Sequence, residues 1–267
     1  LKWADVKNQD QYNPLLSLNI LDKQYLTRLL SSNYISITPV RNLDIRSTFS
    51  IDNIDQQQYK YVPAHTGQDL RNSYHGSAEH YKSETLNLQW DNTATYDLHM
   101  GAHRLNLLGG MSVQKNTSNY NDIQAHGFPN DDFGYKFLNG AYSKDQTVLA
   151  SDFVTTSLLS FYGRADYNYN QKYFATATLR FDGSSKFGPD HRWGTFPSIA
   201  VAWDMAKERF MEPVNWIDQF KFKVGYGIAG NQNIPNYAMY SLYRPTTTNG
   251  QFVYVSDGRL GNPDLQW

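Results

Sequence analysis

Hydrophobic and polar positions alternate along much of this chain. Between Tyr173 and Asp182, Tyr173, Ala175, Ala177, Leu179 and Phe181 share one parity, and Phe174, Thr176, Thr178, Arg180 and Asp182 share the other. A β-strand sends successive side chains to opposite faces, so the pattern predicts a strand with an apolar face backed by a polar one. The preceding segment repeats the split, with Leu159, Phe161, Ala165, Tyr167 and Tyr169 against Ser160, Arg164, Asp166, Asn168 and Asn170. Only Asn170-Gln171-Lys172 separates the two, which is tight-hairpin spacing. Phe220, Phe222, Val224, Tyr226 and Ile228 likewise oppose Lys221, Lys223, Gly225, Gly227 and Ala229. Rings and aliphatics on one face, with charges, amides and glycines on the other, describe a strand between lipid and water.

The remaining chain carries the same pattern in pieces. Leu18, Leu21, Tyr25 and Leu29 fall at helical spacing, so residues 15–30 read as an amphipathic helix by periodicity. Alternation then runs through Ile35 and Ile37 to Pro39, and again from Leu43 to Ile51. Leu86 to Leu98 and Leu105 to Val113 form the next pair, around a short turn at 99–103. Residues 195–204 make a strand with Ile199, Val201 and Trp203 outward; 206–211 make one helical turn, stopped before Pro213. Links near 39, 99–103 and 170–172 are short, those at 56–83, 116–156 and 230–263 are long, and those at 183–194 and 206–218 are intermediate. Outer-membrane barrels join strands by short periplasmic turns and longer extracellular loops. The expectation is an all-β, antiparallel transmembrane β-barrel segment of about eight to nine strands, with long extracellular loops.

Composition changes this picture little. The chain has 267 residues, a formal net charge of −1 and no cysteine. Disulfides, thiolate metal sites and thiol catalysis are therefore absent, and no bulk charge points to nucleic acid. Its 20 Tyr, 14 Phe and 6 Trp suit membrane-interface belts, where a ring needs an apolar body and a wet edge. The mean hydropathy is negative, yet a barrel strand is only half apolar and its loops are polar. No apolar run is long enough for a helical span. Leu1-Lys2-Trp3 does not read as the start of an exported chain, and Asn262 to Trp267 reads as a turn opening another strand. Both suggest a piece of a longer protein.

Candidate chemistry is sparse. Gly225 to Gly230 matches G-x-G-x-x-G, but Asn231-Gln232-Asn233-Ile234-Pro235 follows where a dinucleotide site needs a helix. His99 and His103 would converge on a helix but not across a turn, and Asp131-Asp132 is too few ligands for calcium. No nucleophile–base arrangement stands out. The expectation is no enzyme, no catalytic residue, no metal site and no cofactor. Arg164, Asp166, Arg180, Asp182, Lys221 and Lys223 are the expected lumen-facing polar residues, with Lys186 a further candidate for a charge network. Tyr237, Tyr240, Tyr243 and Tyr254, in the last long loop, are the candidates for stacking on substrate. Trp193 and Trp203 are expected at the membrane interface.

One block carries a family resemblance. Asp182-Gly183-Ser184-Ser185-Lys186-Phe187-Gly188, Arg192-Trp193-Gly194, Phe196-Pro197-Ser198, Ala202-Trp203 and Gly230-Asn231-Gln232 resemble the barrel signature of SusC/RagA-like TonB-dependent transporters. Tyr12-Asn13-Pro14-Leu15 and Asn262-Pro263-Asp264-Leu265-Gln266-Trp267 extend it. The resemblance implies a strand, not a helix, within residues 15–30. It also implies that residues 1–267 are part of a larger barrel of about 22 strands with a plugged lumen, the plug domain lying outside this chain. Further implications are the outer membrane of a Gram-negative bacterium, TonB acting through the missing N-terminal part, and a SusD-like surface lipoprotein as partner. Glycan fragments or peptides would be the imported substrate, with outer-membrane lipid around the barrel. A complete small barrel serving as adhesin or anchor, and a soluble carbohydrate-binding β-sandwich, are the competing readings.

Overall fold

A computed structural model describes residues 14–64, 66, 69, 74–142, 147–214, 216–248, 251–256, 258 and 260–267. Eight strands lie side by side in chain order in one sheet. They are β1 (Leu21–Val40), β2 (Leu43–Val62), β3 (Ser77–Met100), β4 (His103–His126), β5 (Val148–Tyr169), β6 (Tyr173–Ser184), β7 (Trp193–Asp204) and β8 (Lys221–Gly227). A separate antiparallel hairpin, β9 (Tyr243–Thr248) with β10 (Gln251–Ser256), stands within the last long link. The segment is all-β, and β5 to β8 pair antiparallel in unbroken register. The β5–β6 turn closes through Lys172 N–H to Tyr169 C=O, with Asn170 and Gln171 both at positive φ. Two successive left-handed residues are the turn that matches strand twist.

Three expectations need correction. Residues 15–30 are not an amphipathic helix: a short 3₁₀ helix over Pro14–Asn19 gives way to β1 at Leu21. Leu21, Tyr25 and Leu29 recur every four residues, and four is both a helical repeat and twice the strand repeat. The long loops at 56–83 and 116–156 are shorter than expected, because β2 runs to Val62, β3 begins at Ser77, β4 runs to His126 and β5 begins at Val148. These extensions carry polar residues on both faces, so the alternation disappears while the strand continues. Strands of 20 to 24 residues in β1 to β5 exceed the roughly 9–11 needed to cross a bilayer. The third correction is at Asn262–Trp267, which form a turn and a docked indole, with no strand among these residues.

The chain divides into two compact units. One comprises the residues up to Leu30 together with Asp52–Asn87 and Thr117–Thr155. Its core is Tyr61, Ala78, Ala125 and Phe128, with Tyr135, Leu138 and Ala141 of the link after β4 packed against them. Tyr61, 1 % exposed, donates its hydroxyl to Asp131 Oδ1 at 2.7 Å, and Tyr59 stacks on Tyr135 with ring centres 5.4 Å apart. Asp131 also accepts from Ala64 N–H. It thus serves as a tie for the link.

The other unit comprises Ser31–Ile51, Leu88–Asn116 and Thr156–Trp267, including all of β6, β7 and β8. Here the usual burial is inverted. Phe161, Leu179, Phe181, Ile199 and Val201 are exposed large apolar side chains, whereas Ser160 and Asp182 on the opposite face are buried. Water does not select such a face; hydrocarbon does.

Candidate functional site

The register of β5 to β8 builds the apolar face in cross-strand rows. Tyr169 opposes Tyr173, Tyr173 opposes Trp203 and Trp203 opposes Phe222. Successive rings stack, Tyr169 on Tyr173 at 6.2 Å and Tyr173 on Trp203 at 6.4 Å between centres. This row borders the short turns. Ala165, Ala177, Ile199 and Tyr226 make a second row toward the far end. At that end Trp193 pairs with Gly183 and stacks on Phe161 at 6.4 Å. A Cβ on Gly183 would lie 2.9 Å from indole atoms of Trp193, so only glycine lets the ring lie flat there. From Trp193 to Trp203 is about 33 Å along the strand, or about 25 Å of height at barrel tilt, the thickness of an outer-membrane apolar band.

One carboxylate organises the short-turn rim. Glu208 accepts from Tyr173 Oη at 2.7 Å, from Trp203 Nε1 at 3.1 Å and from Lys172 Nζ at 3.2 Å. The Tyr173 hydrogen bond, then that from Trp203, holds the Glu208 carboxyl below its ordinary value. Both aromatic partners belong to the rim row, so Glu208 fixes their polar edges toward water. The sequence pattern did not single it out, since it lies in a link without alternation.

The signature block forms a knot on the polar face. Phe187 is fully buried and packs on Trp267 at 5.0 Å between ring centres. Trp267 Nε1 donates to Arg192 C=O at 2.7 Å. A Cβ on Gly194 would sit 2.5 Å from the Phe196 ring and 2.8 Å from Trp267, and one on Gly230 would overlap the same two rings. Gly188 lets Pro263 C=O approach to within 2.6 Å of where its Cβ would be. Lys186 Nζ reaches Gln232 C=O at 3.4 Å and Ile234 C=O at 3.3 Å. Ser184 N–H bonds to Arg192 C=O, and Ser157 and Ser185 bond each other. Asn231 Oδ1 accepts from Asn233 N–H. Pro197, facing the other way, accepts from Ile228 N–H. The signature thus ties the 185–192 link to residues 228–236 and 261–267.

Around the knot the polar face is a ladder of ion pairs. Arg180 Nε donates to Asp182 Oδ2 at 2.7 Å and its Nη2 to Ser160 Oγ at 2.8 Å, while the guanidinium lies over Tyr162. Arg164 and Thr176 both donate to Asp166. Lys221 Nζ lies 4.1 Å from the Phe174 ring centre, and Lys223 sits opposite Ala202. Lys186 does not join Arg180 and Asp182 here. It is committed to the backbone carbonyls named above. Gly225 and Gly227 face Ala200 and Ser198 across β7–β8; the glycine run closes strands and opens no helix.

The four loop tyrosines split into two groups. Tyr240 N–H bonds to Tyr237 C=O, a local turn with Tyr237 at positive φ. Tyr243 and Tyr254 stand on one face of the β9–β10 hairpin, opposite Ser256 and Pro245 respectively, and both are exposed. Phe252 shares that face. His103 Nδ1 is 2.6 Å from Tyr167 Oη, so it is held by a phenol. Among the described residues no group of three or more His, Cys, Asp or Glu could hold a metal ion.

Comparison with known proteins agrees with this architecture. The family model "TonB dependent receptor-like, beta-barrel" matches residues 2–267. TonB-dependent receptor P26 of Formosa agariphila is 33 % identical over 260 residues, covering 96 % of this chain and 26 % of its own. TonB-dependent receptor SusC of Bacteroides thetaiotaomicron is 29 % identical over 204 residues, 73 % of this chain and 20 % of its own. A structure of the RagAB peptide transporter superposes with a TM-score of 0.85 at 21 % identity, over 95 % of this chain and 28 % of that one. The chain spans about a quarter of the length of the curated relatives it matches.

Proposed function

Because this chain belongs to the TonB-dependent receptor-like β-barrel family, we propose that it is a wall segment of an outer-membrane importer. In this reading TonB acts through a plug domain elsewhere in the parent protein, and a SusD-like surface lipoprotein covers the outer mouth. The imported substrate is a glycan fragment or a peptide. The observation that carries the reading is the belt of exposed apolar side chains between Trp193 and the Tyr169–Tyr173–Trp203–Phe222 row, backed by a polar face on which Ser160 and Asp182 are buried. A soluble sugar-binding sandwich would bury that face. The RagAB peptide transporter shares this fold; the substrate classes and the lipoprotein partner are taken from the resemblance of the signature block to SusC/RagA-like transporters. Tyr243, Tyr254 and Phe252 on the β9–β10 hairpin, with Tyr237 and Tyr240 in the same link, are the proposed substrate or lid contacts.

The test uses the full-length parent protein in its own cells. Uptake of labelled oligosaccharides and peptides is measured with and without TonB, and the parent is isolated with its associated lipoproteins. Uptake that falls to background without TonB, together with co-isolation of one surface lipoprotein, supports the reading. Uptake unaffected by removing TonB overturns it. An epitope tag at Asn130, within the link held by Asp131, should bind antibody on intact cells; a tag reached only after permeabilisation would invert the proposed orientation.

A further inference from the structure

In the unit that holds the Tyr61 and Phe128 core, β2, β3 and β4 form a polar cleft of about 230 Å³. Its walls include Lys60, Tyr74, Ser77, Glu79, Gln124 and His126. Lys60, Glu79 and His126 adjoin Tyr61, Ala78 and Ala125 in sequence, and strand alternation directs them to the face opposite that core. His126 is 6 % exposed, stacks on Tyr74 with ring centres 4.0 Å apart, and its Nδ1 has no partner. Burial keeps it neutral by lowering its pKa, so one ring nitrogen is an acceptor. On the same strand parity Asp122 has a buried Oδ1 without a partner, while its other oxygen accepts from Gln124 Nε2 at 2.9 Å.

The charges around this cleft do not balance. Burial, and then the charges of Asp122 and Asp22, push the Glu79 carboxyl upward, against the opposing pull of Lys60. Asp22 is held by Gln58 Nε2 at 2.9 Å. Glu79 thus feels two further carboxylates against one ammonium, and the buried polar atoms left over can accept hydrogen bonds. An anion is repelled, and a neutral hydroxyl brings a single donor and no charge. A divalent cation needs more ligands than are gathered here, since no group of three or more suitable side chains is present among the described residues. A primary ammonium brings three donors and a positive charge to the same point. Tyr81 and Tyr120, stacked at 6.1 Å on the same strand parities, offer ring faces beside it for an alkyl stem.

We propose that this cleft holds a primary ammonium group of the solute taken up by the parent transporter. Glu79 is the counter-ion, Asp122 stands behind it, and His126 and Gln124 direct the group. The site deepens the importer reading and rests on it, naming a cationic solute within the glycan or peptide class.

The experiment is saturation-transfer NMR on the full-length parent protein in detergent, with N-acetyl-lysine methylamide and its norleucine counterpart as probes. The lysine derivative should bind at least tenfold tighter. Glu79→Gln and Asp122→Asn should each remove most of that difference and leave binding of the norleucine derivative unchanged, with barrel assembly checked by heat-modifiable mobility. Equal binding of the two probes to the unaltered protein overturns the proposal without any variant having to fold. An unchanged tenfold difference in an assembled Glu79→Gln protein overturns it as well. Because binding in detergent needs no TonB, uptake that is independent of TonB alongside a retained tenfold difference would remove the importer reading and keep the site.

Discussion

The indole of Trp267 rests on Gly194 and donates its N–H to the carbonyl of Arg192, two residues earlier, at 2.7 Å. One side chain thereby fastens the last described turn to the start of β7. Phe196 and Gly230 complete the contact, which leaves no room for a methyl group at either glycine.

Gly230→Ala should therefore cost about 1–3 kcal/mol, the usual penalty for overpacking a closely packed site. The measurement is the yield of heat-modifiable barrel from the full-length protein and its melting temperature in detergent. Gly109→Ala is the control for crowding, because no atom lies within 4 Å of its missing Cβ. If Gly230→Ala melts no lower than Gly109→Ala, the knot is not a packing constraint.

Adjacent residues of β6 test the two faces. Ala177 stands in the apolar row with Ala165 and Ile199, and Thr178 stands in the polar row with Arg164 and Ser198. Ala177→Arg should lower barrel stability by about 2–4 kcal/mol near the midplane, whereas Thr178→Arg should assemble normally. Comparable losses from both, read as unfolding midpoint in urea, would contradict the assignment of lipid and lumen.

Acid should loosen the short-turn rim through Glu208. Its folded carboxyl titrates below the ordinary glutamate value because Tyr173 and Trp203 donate to it. A depressed pKa contributes stability that is present above the unfolded value of roughly 4.3 and is lost as pH falls through the folded one. Melting temperature should decline on that acid limb, and Glu208→Gln should flatten the decline. An identical pH profile in the variant would assign the acid limb to other groups.

The tie from Tyr61 to Asp131 should govern protease access to the link after β4. Burial and the Asp131 hydrogen bond push the Tyr61 phenol pKa upward, so it remains a donor. Asp131→Ala leaves that buried hydroxyl without its acceptor, a cost of about 1–3 kcal/mol. Cleavage within residues 129–142 on intact cells should accelerate, with assembly of the barrel unchanged. Resistance equal to that of the parent would mean that the ring packing of Tyr59, Tyr135 and Phe128 holds the link without the hydrogen bond.

Alternation by itself determined the strands that cross the apolar band. Tyr173 to Asp182 could be assigned both a strand and two faces, because lipid on one side and water on the other impose a period of two on every residue. Where no lipid face enforces it the period is lost, and residues 56–62 and 117–126 read as loop although they continue β2 and β4 and end on the core of Tyr61, Ala125 and Phe128. For Leu21, Tyr25 and Leu29 the spacing is shared by helix and strand, so pairing with β2 decided the outcome. The signature residues were legible as a motif, but their purpose was not. Phe187, Gly194, Gly230 and Trp267 are far apart in sequence, and only the packed rings reveal why two of them must lack a side chain. Glu208 and His126 gave no local signal at all, because a hydrogen bond from Trp203 or a stack on Tyr74 exists only once strands and links have been brought together.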